Sequence, residues 1–266
     1  MLLLASGVPT AAQSYDQLSK WCYGDATDDQ IIQGCDAVIK SGKGSSADQA
    51  NAFYNRGRAY SRKGQFDRAI QDYDQAIKLK PGDTDAFNNR GIAYRNKGQF
   101  DRAIQDYDQA IKLKPDHAKA FYNRGIAYSS KGQFDRAIQD YDQAIKLKPD
   151  HASAFNNRCW ERAIEGQQLE AALADCNEAL RLRPNDANIL GSRGLTYLKL
   201  KLNSASISDY DAALKITPDD ATSLFGRGVA RHRTGDKAGG DADIAAAKKK
   251  QNNIADDFAK WGVTEE

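Results

Sequence analysis

The chain has 266 residues and a formal charge of +2, from 38 basic against 36 acidic side chains, so it can bury a sizeable core but carries no global field to gather nucleic acid or an anionic bilayer. Only three histidines are present, and no Ser/His/Asp set, HExxH motif or phosphate-cradling glycine loop accompanies them. The expectation is therefore a protein that is not an enzyme, with no cofactor, no metal, no nucleic-acid partner and no membrane insertion.

Residues 1–13 hold a short apolar run, Leu2-Leu3-Leu4, followed by small residues up to Ala12. This resembles the latter part of a secretory signal without its basic front, and it is too short for a span, which needs roughly 20 apolar residues. It predicts export, with a frayed terminus of a cytoplasmic protein as the alternative. Four cysteines form two near pairs, Cys22 with Cys35 and Cys159 with Cys176, and neither has CxxC spacing. In an exported chain an even count favours disulfides; in a cytosolic one the same residues would be packed thiols.

Residues 14–49 are expected to cap the amino end. Ile31-Ile32-Gln33-Gly34-Cys35-Asp36-Ala37-Val38-Ile39-Lys40 aligns with Ala103–Lys112, which predicts a degenerate second helix preceded by a short helix or turn bearing Trp21 and Cys22. Residues 41–46 are a loop by composition.

From residue 50 the chain repeats with a period of 34 residues, and the segment from Lys63 to Pro81 returns unchanged at 97–115 and 131–149. Constant periods of this order mark stacked supersecondary units that share their core with neighbours. Six copies begin at Ala50, Thr84, Ala118, Ala152, Ala187 and Ala221, and together they cover 50–251. In the second copy Phe87, Arg90, Gly91, Ala93 and Tyr94 form one pattern. Phe100, Ala103, Ile104, Tyr107, Ala110 and Ile111 form another at helical spacing, with Gly98 between the two and Pro115 at the end. Each copy is thus predicted to be an antiparallel helix pair.

Gly91, Tyr94, Ala103, Tyr107, Ala110 and Pro115 stand where the tetratricopeptide repeat has its small, aromatic and proline positions, so the chain resembles that family over about 50–250. The resemblance implies an all-α, right-handed superhelical solenoid of tandem antiparallel helix pairs, six repeats with a cap at each end. Copy four departs by an extra residue at Gln167-Gln168-Leu169, copy five has Lys201 in place of the turn glycine, and copy six has Arg231 and Gly240 where tyrosine and alanine are usual.

In the family the first helices face a ligand. Carried over by repeat position, this face comprises Arg58, Ile92, Ile126, Trp160, Leu195 and Val229 at position nine, and Tyr54, Asn88, Tyr122 and Asn156 at position five. Arg62, Arg95, Leu198, Lys199 and His232 lie further along the same helices. An apolar seam with aromatics and a cationic rim is expected to hold a peptide or helix of a partner protein. A chaperone-like holder of apolar segments from several clients is the alternative function, and self-association of near-identical copies is a further one. The carboxylate-clamp variety of the family is not expected, because Tyr54, Arg58, Asn88 and Ile92 occupy its lysine and asparagine positions.

Two charges recur in all six copies. Arg56, Arg90, Arg124, Arg158, Arg193 and Arg227 at position seven are expected to pair with Asp72, Asp106, Asp140, Asp175, Asp209 and Asp243 at position twenty-three. Cys159 replaces the glycine of position eight and Cys176 the tyrosine of position twenty-four. That paired change implies that the two positions touch. Residues 252–266 close the chain, with Ile254, Phe258 and Trp261 at intervals of four and three predicting an amphipathic helix over the last apolar face. The cysteine-bearing front and this ending are similar to exported bacterial members of the family of unassigned function, which implies a periplasmic setting.

Overall fold

The computed structural model describes residues 14–166 and 168–265; the signal-like segment 1–13 and Gln167 of the fourth turn lie outside them. Among the described residues there are fifteen helices and no strand, divided between two units, Met1–Pro115 and Asp116–Glu266.

The first unit contains α1 (Tyr15–Tyr23), α2 (Asp28–Ser41), α3 (Ser46–Arg62), α4 (Phe66–Leu79), α5 (Thr84–Asn96) and α6 (Phe100–Leu113). Consecutive helices pack on one another in chain order, and α3 also meets α5. Local chemistry sets the boundaries. Thr27 and Gln30 form a capping box at the start of α2, and Ser45 with Asp48 forms one that starts α3 four residues ahead of the repeat boundary at Ala50. Gly64 takes φ +71°, and the amide of Gln65 reaches back to the Tyr60 carbonyl at 2.9 Å, which turns α3 into α4 within three residues.

The small and large positions of the repeat meet as predicted. A Cβ on Gly91 would lie 2.7 Å from Cε1 of Tyr107, whose ring is fully buried, so glycine there is the condition for seating the tyrosine. Gly57 under Tyr73 repeats the arrangement one period earlier. At the amino end Cys22 of α1 is bonded to Cys35 of α2, with Cα atoms 4.6 Å apart, and both pack against Val38 and Ala52.

The second unit contains α7 (Ala118–Ser130), α8 (Phe134–Leu147), α9 (Ala152–Glu165), α10 (Leu169–Leu182), α11 (Ala187–Lys199), α12 (Asn203–Ile216), α13 (Ala221–Thr234), α14 (Lys237–Lys250) and α15 (Ile254–Lys260). Here too neighbours pack in sequence order, and the first helices of successive pairs meet, α9 with α11 and α11 with α13. Cys159 and Cys176 are bonded, with Cα atoms 5.5 Å apart, where the pairs on either side place Gly125 beneath Tyr141 and Gly194 beneath Tyr210, and the last pair places Gly228 against Ile244. Lys201, in the turn that lacks glycine, adopts φ +61°, close to the +71° of Gly64 and Gly98.

The closing segment reaches further along the unit than the last pair. Residues 252–266 are expected to cover the last apolar face; α15 packs on α13 and α14, and beyond its end Trp261 reaches Trp160 on α9. The physical reason is where apolar surface is on offer. The groove side of α11 and α13 presents Leu195, Leu198, Phe225 and Val229, and α14 adds Ile244 and Ala247 to the same cluster.

Candidate functional site: the inner face of the first helices

In the first unit this face is built on α3 and α5. Arg58 is exposed and lies 5.8 Å from the centre of the half-buried Tyr54 ring, whose hydroxyl accepts from Asn89 at 2.9 Å. Ile92 is half-buried one repeat on. One predicted lining residue is less open than the seam implied: Asn88 is buried among helices. Arg62 is exposed and pairs with Asp28 of α2, its Nε donating to Oδ1 at 2.6 Å. Arg95 is half-buried, and its Nη1 is enclosed without a hydrogen-bond partner among the described residues.

In the second unit α7 and α9 carry Tyr122, Ile126, Asn156 and Trp160, all half-buried. Tyr122 lies against the His151 ring at 4.5 Å and the Tyr141 ring at 6.0 Å, which fixes its orientation. Asn156 and Trp160 border a pocket whose other walls are mostly polar, among them Asn188, Ser192, Asp220 and Thr222. The Asn156 side-chain oxygen is shielded there without a donor among the described residues. Sequence reasoning missed this polar stretch, since Asn188, Ser192 and Thr222 carry no mark that separates them from ordinary helix residues.

The predicted seam continues onto α11 and α13, but it is not open there. Leu195, Leu198 and Val229 are fully buried beneath α15, together with Phe225, which packs on Phe258 at 4.6 Å between ring centres. Trp160 meets Trp261 edge to face at 5.1 Å. Lys199 Nζ donates to the carbonyls of Trp261 at 2.5 Å and Ile164 at 3.2 Å. Burial pulls that amine below its ordinary value. His232 lies at the edge of this region with Nε2 2.9 Å from Asp241 Oδ1.

The recurring charges lie in the joints between helices. Arg90 binds Asp106 in a fork, Nε to Oδ2 at 2.8 Å and Nη2 to Oδ1 at 2.6 Å, and Nη1 reaches Asp74 of the preceding repeat at 2.6 Å. The same third contact joins Arg158 to Asp142 and Arg227 to Asp211, while Arg56 takes Asp36 of α2. Arg193 takes the neutral oxygen of Asn177. Burial lifts the Asp106 carboxyl above its ordinary value against the pull of Arg90. For Arg90 itself burial opposes the charge, yet bonding to Asp106 and Asp74 leaves it raised. These pairs are satisfied by one another, so they hold the repeats together and present no anion site.

Glu161 is the exception among the buried charges. It occupies a position filled by Ala59, Ala93, Ala127 and Ala230 in other repeats, and it is only 3 % exposed. One carboxylate oxygen accepts from Ser129 at 2.5 Å and the other has no partner among the described residues. Burial pushes its pKa up to about 7, with a smaller push from Glu165. Among the described residues no cluster of three His, Cys, Asp or Glu side chains could hold a metal, and no helix is long and apolar enough to cross a membrane.

Comparison with known proteins agrees with this geometry. The tetratricopeptide repeat profile matches five overlapping windows, 36–84, 54–118, 88–152, 122–187 and 161–221. No curated protein matches the chain. Among solved structures, a tetratricopeptide repeat protein from Parabacteroides merdae superposes with a TM-score of 0.68 at 19% identity, covering 95% of this chain and 100% of its own. Pseudomonas aeruginosa pilF superposes at 0.69 with 17% identity, covering 82% of this chain and 99% of its own. YrrB, described as a repeat protein of this kind with an unusual peptide-binding site, superposes at 0.58 with 21% identity over 73% of this chain and 97% of its own. The helix pairs, the glycine–tyrosine seats and a profile match running from residue 36 to 221 establish that the chain belongs to the tetratricopeptide repeat family.

Proposed function

We propose that this protein is a non-catalytic scaffold that holds a peptide or helix of a partner protein on the inner face of its first helices. The observation that carries the reading is the set of partly exposed side chains at equivalent repeat positions: Tyr54, Arg58 and Ile92 in one unit, Tyr122, Ile126 and Trp160 in the other. Aromatic, aliphatic and arginine side chains of this kind are the usual anchors of protein interfaces. The two disulfides support an oxidising, exported compartment such as the periplasm. The domain reading that accompanies this proposal is a capping segment at 14–49, repeats at 50–251 and a closing segment at 252–266.

The test is affinity capture from the source cell's exported fraction with the native chain and with Tyr122→Ala/Ile126→Ala, followed by mass spectrometry. Circular dichroism should stay helical in both while capture by the variant falls at least tenfold. Equal capture would remove this face from the account. Competition by unrelated apolar peptides would move the assignment to a holder of many clients.

A further inference from the structure

Helix α15 is short and is seated in the apolar cluster that α11 and α13 build. It has seven residues and no side-chain cap at its start, and it follows α14 through Gln251-Asn252-Asn253, with Gln251 Nε2 donating to Asp257 Oδ2 at 2.8 Å. An isolated helix of this length has no stability in water, so its conformation is imposed by the surface on which it lies. What it offers that surface is three large side chains at i, i+4 and i+7: Ile254 and Phe258 fully buried, and Trp261 edge-on against Trp160. The receiving side is equally apolar, with Leu195, Leu198, Phe225 and Val229. Polar contacts fix the register. Lys199 holds the Trp261 carbonyl, and Glu265 pairs with Lys248 at 2.7 Å.

We propose that residues 254–265 are an intramolecular occupant of a docking groove formed by α9, α11 and α13, and that the groove's foreign partner is an amphipathic helical segment of the same chemistry. Such a segment carries an aliphatic side chain, an aromatic four residues on, a second aromatic three further, and a carboxylate four residues beyond that. This deepens the scaffold reading and rests on it. It specifies what the carboxyl-terminal repeats accept and makes access conditional on displacing the chain's own segment. Tethering gives that segment an effective concentration on the order of millimolar, so a free competitor meets a strong local rival until it is released.

The experiment uses the full chain, folded with α15 in place, carrying a protease site inserted between Asn252 and Asn253. The probe is a fluorescein-labelled peptide with the sequence of residues 252–265. Before cleavage the probe should bind weakly. After cleavage and dialysis it should bind roughly 100-fold more tightly, as expected once the tethered rival is gone, and a probe carrying Phe258→Ser and Trp261→Ser should not bind. A cut protein that retains its helical signal but takes up no probe would overturn the proposal, as would loss of helical signal on cutting, since either makes α15 part of the scaffold. A doubled mass of the uncut chain on light scattering, abolished by Trp261→Ser, would give the groove to a second copy and overturn the foreign partner. The outcome is separable from the scaffold test: capture that depends on Tyr122 and Ile126 with a silent probe would leave the scaffold reading standing alone.

Discussion

Cys159 and Cys176 are bonded across a helix pair at the two positions where neighbouring repeats seat a tyrosine ring on a glycine. The bridge substitutes a covalent tie for ring packing in the fourth repeat, whereas the sixth, which also lacks the tyrosine, seats Ile244 on Gly228. Its reduction should lower stability by about 2–5 kcal/mol. Restoring the usual pair with Cys159→Gly and Cys176→Tyr should give a chain whose thermal midpoint no longer depends on reductant at that repeat. Circular dichroism melts with and without dithiothreitol check this, with Cys22 and Cys35 replaced by alanine in all samples.

Glu161 gives the fold a dependence on pH. Below its ordinary value of 4.5 the folded and unfolded chains both hold the proton. As pH rises the unfolded chain releases it first, while the folded chain keeps it up to about 7. The folded state therefore binds more protons in that window, and this residue's contribution falls with rising pH and is flat above it. The loss is on the order of 3 kcal/mol. Glu161→Gln should thus leave the urea midpoint nearly unchanged near pH 4 and raise it near pH 8. Equal midpoint shifts at both pH values would contradict the assignment.

Lys201 bears a left-handed backbone that costs an ordinary residue roughly 1 kcal/mol relative to glycine. Lys201→Gly should therefore raise stability by about that amount, read as a higher denaturant midpoint with an unchanged slope. Gly98→Lys, at the equivalent turn, should lower it by a similar amount.

Gly91→Ala places a methyl group 2.7 Å from the Tyr107 ring, which has no free space to retreat into. Overpacking of this kind costs about 1–3 kcal/mol. Adding Tyr107→Leu should recover part of the loss, and a double-mutant cycle from thermal melts would measure the coupling.

What the sequence made legible is what recurs. The helix pairs, the glycine–tyrosine seat, the Arg–Asp fork and the Cys159–Cys176 contact each announced themselves because the 34-residue period supplied a reference against which every copy could be compared. Features that occur once had no such reference. The capture of Arg62 by Asp28, the burial of Asn88 and the path of α15 over Leu195 and Val229 depend on which surfaces meet in space. The spacing of Ile254, Phe258 and Trp261 disclosed an apolar face but not its destination. The inner-face residues of α3 and α7 were placed by family position, and their partial exposure follows from helix geometry; what they hold is left to the capture experiment.

The three identical segments, 63–81, 97–115 and 131–149, carry no address of their own. A hairpin from one chain is chemically indistinguishable from its counterpart in another, and only covalent order tells them apart. Refolding at high concentration should consequently produce tangled multimers by exchange of hairpins between molecules, and dilution during renaturation should suppress them. The individually marked ends, one stapled by Cys22 and Cys35 and the other folded over by Trp261, are then the landmarks from which correct registration spreads.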